Sequence, residues 1–481
     1  MWKPPERIRH QTKPGTWPSA EGAAKSQLFA PLTVGNLRLE QRTWIPAMVP
    51  WRATQDGEVT DAVVDWYERF ARGKPGAIVV EATGIRDIPS GPLLRIGHDK
   101  YIDGLARIVD AVRRASGGQT KLYIQLIDFL SMRRRPAKDK FFGRFLKITE
   151  AHRTAVGHKD DNVVREVLCT FEDAKLEETL TPREFETYQR GYRERVTDSH
   201  LPHIQDLPEI LPGLFADAAK RAKAAGFDGI ELHYAHAYTM ASFLSKLNTR
   251  QDGYGGSLAD RVRLPLEVYR AVRGAVGDDY VLGCRMLSDE CIEGGSGLED
   301  ALYFAEQFAH AGMDFLSFSR GGKFEDAARP GVGQAVYPYT GRSGYECMPH
   351  FISDEQGPFG RNIEPTAKLR AHIRAQGFET PIVIAGGIHG FEQAEGLLQN
   401  GMADIIGMAR QTLADPDWFL KVKTGNGQEV RTCKYTNYCE GLDQKHKIVT
   451  CQLWDREDMN DDNLNKTPDG KRRMTAPLWR K

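Results

Sequence analysis

The sequence predicts a (β/α)₈ barrel with long loop insertions and a carboxyl-terminal extension. Three observations carry that expectation. Short apolar runs alternate with amphipathic segments along most of the chain, as strand-helix units around a parallel sheet require. Eight such runs occur, the number that closes a barrel. The chain of 481 residues exceeds one ordinary domain but fits a barrel with additions. An open doubly wound sheet is the competitor, and the absence of Gly-x-Gly-x-x-Gly after the first strand argues against one that binds dinucleotide in the usual way.

The elements follow in order. Residues 1–26 form a polar, proline-bearing lead, and residues 27–420 hold the barrel. Strands are expected at 44–48, 77–81, 122–126, 229–233, 281–286, 315–319, 382–386 and 404–408. Helical apolar spacing marks 63–71, 102–115, 216–225, 258–276 and 301–311. Two connections are far longer than a barrel needs. The first, about 131–206, opens with Arg133, Arg134, Arg135, Lys138 and Lys140 around Phe141, Phe142 and Phe145. It reads either as a cap that holds an acidic or CoA-linked tail or as a solvated excursion. The second, about 323–363, carries Tyr337, Tyr339, Tyr345 and Phe351, expected to form a substrate wall. Residues 421–481 are a polar tail.

Composition narrows the function. The 65 basic and 65 acidic residues cancel, so no net field draws nucleic acid or an anionic membrane, and a small-molecule partner is favoured. No run approaches the roughly 20 apolar residues of a membrane helix, and the amino terminus lacks a signal-peptide core. A cytoplasmic protein is expected, with a homo-oligomer as a further expectation. Seven scattered cysteines do not read as a disulfide framework.

The most informative stretch is Gly226 to Arg263, where His233, His236 and Tyr238 follow an apolar strand. If His233 closes the strand, the other two curl back over its end and three donors converge on one polar substrate atom. A structural histidine or a zinc pair is the plain alternative, but a spacing of three without a nearby third ligand suits zinc poorly. The segment resembles the signature of the Old Yellow Enzyme and dienoyl-CoA reductase family of flavin oxidoreductases. The matching residues are Gly226-Phe227-Asp228-Gly229, the trio, Asn248 with Arg250, and Tyr254-Gly255-Gly256-Ser257.

That resemblance implies FMN as cofactor and NADH or NADPH as reductant. Ala385-Gly386-Gly387-Ile388 ends the seventh strand and Gly407-Met408-Ala409-Arg410 the eighth, the pair of loops that builds a barrel phosphate site. Backbone N–H groups at Gly386, Gly387 and Ala409 would approach the phosphate, and Arg410 adds a charged fork. Arg285, closing the fifth strand, is awkward as a core residue because a buried guanidinium demands an anionic partner; the resemblance has it stabilise charge near flavin N1. Gln125 matches the glutamine that bonds the pyrimidine, and Ala47, Met48 and Ala82 match positions lining the isoalloxazine. Two departures stand out. Val49 replaces a hydrogen-bonding residue, and Gln125-Leu126-Ile127-Asp128 replaces Gln-Leu-Trp-His.

The mechanism implied is a pair of half-reactions, in which a nicotinamide reduces FMN and an electron-poor alkene of an α,β-unsaturated carbonyl or enoyl-CoA-like compound takes the hydride. His233 and His236 would hold the carbonyl oxygen and Tyr238 would protonate the α-carbon. Two rivals remain: oxidative dehydrogenation or demethylation of amines with the same flavin, and a non-catalytic flavoprotein subunit. Longer family members carry Cys-x₂-Cys-x₃-Cys-x₁₁-Cys for a four-iron cluster. Here Cys433, Cys439 and Cys451 remain, with Thr436 where cysteine belongs, so a degenerate segment of free cysteines is expected, and a three-ligand cluster is the lesser reading. The chain ends at Lys481 without the further domains of those longer proteins, which implies direct hydride delivery or a separate electron donor.

Overall fold

The computed structural model describes residues 10–236, 238–321, 330–334, 355–443 and 445–480. Tyr337, Tyr339, Tyr345 and Phe351 lie outside them. A hairpin of β1 (Leu32–Val34) and β2 (Leu37–Leu39) precedes eight parallel strands that close into a barrel: β3 (Thr43–Ile45), β4 (Ala77–Gly84), β5 (Lys121–Ile127), β6 (Gly229–Tyr234), β7 (Val281–Leu287), β8 (Leu316–Ser319), β9 (Ile382–Ala385) and β10 (Ile405–Gly407). β10 pairs with β3 through Ile406↔Thr43 and Gly407↔Trp44 to complete the ring. Each strand overlaps the apolar run that predicts it, because a strand buried on both faces reads as continuous apolar sequence.

Helices wrap the barrel as the spacing requires. Leu258–Val276 forms the helix whose limits the sequence marks, starting at a Ser257 cap whose Oγ accepts from the Asp260 amide at 3.2 Å. Helices at Ile363–Ala375 and Phe391–Gln399 complete the outer ring. Inside, the side chains are stacked in layers. Trp44, Tyr123 and Phe315 fill the lower barrel with ring centroids 4.8–5.6 Å apart, and Val34 and Leu39 of the hairpin close the floor beneath them. The amino end is therefore a solid plug, and chemistry is confined to the carboxyl end.

The first insertion is not a solvated excursion throughout. Helices at Glu150–Val156, Asp161–Thr170, Asp173–Thr179 and Pro182–Arg190 gather round their own apolar cluster of Phe141, Phe142, Leu168 and Tyr188. Its basic run is largely committed to the protein. Arg134 donates to the Gly333 carbonyl at 3.1 Å, Arg135 to the Pro330 carbonyl at 3.0 Å, and Lys138 to the Phe171 carbonyl at 2.5 Å. The backbones of Arg135 and residues 333–334 also bond in both directions at 2.8 Å, so the two insertions meet in a seam.

The carboxyl-terminal segment folds back onto the barrel. Val449 N–H bonds to the Pro50 carbonyl at 3.0 Å, Trp51 Nε1 to Asp443 Oδ1 at 2.6 Å, and Arg69 Nε to the Ala476 carbonyl at 2.9 Å. Trp454 is buried and bonds to the Leu413 carbonyl at 2.9 Å. Among the described residues, no helix is long and apolar enough to cross a membrane.

Candidate active site

A cavity of about 310 Å³ opens at the carboxyl ends of the strands. Its wall brings together Ala47, Met48, Ala82, Gln125, His233, His236, Tyr238, Arg285, Gly386, Gly387, Ala409 and Arg410, residues drawn from all parts of the barrel sequence.

The trio is built by the exit from β6. His233 is the fifth residue of that strand and is buried. The chain then turns through His236, whose φ of 57° is left-handed, a conformation that a non-glycine residue holds only where the surroundings enforce it. Tyr238 caps the short helix Thr239–Leu244. The rings meet edge to face, His233 to Tyr238 at 5.2 Å and His233 to His236 at 5.3 Å.

One backbone amide sets the tautomer of His233. Ala235 N–H donates to His233 Nδ1 at 3.3 Å, so that nitrogen is unprotonated and a neutral ring carries its proton on Nε2. His233 Nε2 lies 3.4 Å from His236 Nδ1, and His236 Nε2 lies 2.9 Å from Ser319 Oγ. The imidazoles and Ser319 thus form one polar chain across the ends of β6 and β8.

The segment that follows Tyr238 is anchored by Asp128, a residue that departs from the family pattern. Asp128 is fully buried and accepts from Arg86 at 2.6 and 2.8 Å and from Thr239 Oγ1 at 2.6 Å. It fixes the helix that begins just after Tyr238, and Phe129 meets the Tyr238 ring edge to face at 5.3 Å.

Beneath the cavity lies a polar layer that the sequence reading misses in part. Burial lowers the proton affinity of the Arg285 guanidinium, and the negative charge of Glu231 in the same layer opposes that lowering, without a direct ion pair between them among the described residues. Gln125 Nε2 donates to Glu231 Oε1 at 2.6 Å, and Arg285 donates to Ser317 Oγ at 2.9 Å. The signal was present, since Glu231 stands two residues before His233 and so shares its inward face.

The opposite end of the cavity is built from glycines and arginines. Gly386 and Gly387 have φ of 136° and 68°, and a Cβ at Gly387 would lie 1.8 Å from the Pro358 carbonyl oxygen. Only glycine fits there. Arg410 donates to Asn437 Oδ1 at 2.9 Å, lies 4.7 Å over the Tyr435 ring and is 3.7 Å from Glu440. Arg320 and Arg361, which sequence reading also misses, share the wall. Asn362 ties this end together by donating to the Phe318 carbonyl at 2.9 Å and accepting from Ser288 at 2.8 Å.

These features suit FMN. The cradle offers amides and a guanidinium to a phosphate. The Gln125 and Arg285 pair offers hydrogen-bonding groups to a pyrimidine edge, and Ala47, Met48 and Ala82 offer an apolar face. A four-iron cluster is not matched by its donor set. Cys433 and Cys451 pack with Tyr435 and Leu453, and burial pushes the Cys451 thiol up to about 12 and the Cys439 thiol higher still. Among the described residues, no group of three or more His, Cys, Asp or Glu is arranged to hold a metal ion. This segment instead positions Arg410 and closes the cavity with Tyr435 and Cys439.

Residues 27–130, 173–342 and 349–429 match the sequence model of the NADH:flavin oxidoreductase / NADH oxidase family. The match skips the first part of the first insertion and stops before the cysteine segment. An NADH oxidase from Thermoanaerobacter brockii is 30% identical over 84% of this chain and 52% of its own length. An N,N-dimethylglycine/sarcosine dehydrogenase from Chromohalobacter salexigens is 28% identical over 86% of this chain and 52% of its own. The chain therefore spans about half the length of these curated relatives. A 2-naphthoyl-CoA reductase in complex with 2-naphthoyl-CoA superposes with a TM-score of 0.65 at 20% identity, covering 91% of this chain and 59% of that one, a likeness of fold.

Proposed function

Because the chain belongs to the NADH:flavin oxidoreductase / NADH oxidase family, we propose that it is an FMN-dependent ene-reductase that uses NADH or NADPH to reduce the alkene of an α,β-unsaturated carbonyl or enoyl-CoA-like compound. One observation carries the reading: the His233, His236 and Tyr238 trio, the Gln125 and Arg285 edge and the glycine cradle with Arg410 all line a single cavity.

When bound, FMN supplies a carrier that accepts hydride from the nicotinamide and gives it to the substrate. The protein supplies the rest. His233 and His236 hold the carbonyl oxygen and stabilise the negative charge that gathers there as the β-carbon is reduced. The Ser319 contact keeps His236 in place, and a Ser319 hydroxyl that turns to donate to Nε2 lets the His236 proton move to Nδ1, facing that oxygen. Tyr238, braced by Phe129 and the Asp128 anchor, delivers the proton to the α-carbon. Arg285 favours the reduced cofactor by its positive charge.

Anaerobic mixing tests this. NADH or NADPH is expected to bleach the flavin absorbance, and a simple cyclic enone added afterwards to restore it. Bleaching by dimethylglycine or another tertiary amine, with no recolouring by enones, would favour the amine-oxidising alternative.

A further inference from the structure

Glu231 occupies a layer between the aromatic plug and the cavity, with 1% of its surface exposed. It lies beside Gln125, to which it is paired in strand register, and in the field of Arg285. A buried carboxylate costs much free energy unless it is paired and bonded. Its placement is informative for two reasons. A carboxylate only accepts hydrogen bonds, so the Gln125 atom 2.6 Å away is its amide nitrogen, and the carbonyl end of Gln125 is left for the cavity. The same carboxylate shares its layer with Arg285, which donates to Ser317 Oγ at 2.9 Å and lines the cavity, so its negative charge opposes that of the guanidinium.

We propose that Glu231 is a positioning residue for the pyrimidine edge of the FMN site, orienting the Gln125 amide and moderating Arg285, and so setting how much more tightly the site holds reduced than oxidised flavin. The inference rests on the FMN reading above. Burial raises the proton affinity of Glu231, while Arg285, Gln125 and Ser317 pull it back, as a carboxylate serving those partners should show.

Two variants separate the two roles, with FMN affinity measured by titration of apoprotein in both oxidation states and the midpoint potential measured on the loaded protein. Glu231→Gln keeps an acceptor for Gln125 and removes the charge. Reduced FMN is then expected to gain about tenfold over oxidised FMN, an upward shift of ~30 mV for the two-electron couple. Glu231→Asp keeps the charge but falls one methylene short of Gln125. It is expected to weaken both oxidation states by roughly fivefold while their ratio stays within about twofold. If Glu231→Gln fails to fold, Glu231→Asp decides the orienting role alone. Wild-type protein that binds FMN beside variants that match it would overturn this inference and spare the FMN reading. Wild-type protein that binds no FMN would overturn both.

Discussion

Tyr238→Phe is expected to slow alkene reduction by roughly 10²–10⁴-fold, the usual share of a positioned general acid, while NAD(P)H bleaches the flavin at about the wild-type rate. The asymmetry follows from geometry. The phenol belongs to the trio at the end of β6, away from the Gln125 and Arg285 layer and the glycine cradle, so its loss leaves cofactor retention intact. The ring still packs edge to face on Phe129 and His233, so the variant should fold. Stopped-flow traces of the two half-reactions check this separately. Equal turnover of variant and wild type, or none in either, would favour a flavoprotein that does no chemistry at the trio.

Gly387→Ala is expected to cost FMN affinity at least about two orders of magnitude, on the order of 3 kcal/mol, because it adds both left-handed strain and a backbone clash. The Cβ would lie 1.8 Å from the Pro358 carbonyl and 2.8 Å from the Gly360 amide, and neither is the end of a flexible side chain. The 357–362 loop must move, and Asn362 and Arg361 in it stand at the same wall of the cavity. Apoprotein titration with FMN, beside a thermal melt to show that the barrel persists, reads the effect.

The barrel was legible because its strands are buried on both faces and its helices are amphipathic, so residue type alone records each position. Leu258–Val276 shows this best, since cap, periodicity and end all agree. The terminal segment was harder to read. Its polar composition suggests a tail, yet Trp51, Arg52 and Arg69 of the barrel supply its partners from some 390 to 420 residues away, and no local signal records such distant pairing. The cavity shows the same division. Residues carried by motifs, such as His233, Tyr238 and Arg410, are named by their spacing. Glu231 hides in the strand beside His233, Ser319 ends β8, and Arg320 and Arg361 follow in segments whose approach is set only when the barrel closes. The basic run of the first insertion is more tied to the protein than its composition suggests, since Arg134, Arg135 and Lys138 each donate to a backbone carbonyl.

The most direct test of the central claim is an absorption spectrum of the purified protein, with FMN content, iron and acid-labile sulfide assayed on the same sample. The account predicts a flavin spectrum with about one FMN per chain, retained or restored on adding FMN, and no iron or sulfide. Folded protein that is colourless and takes up no FMN would contradict it.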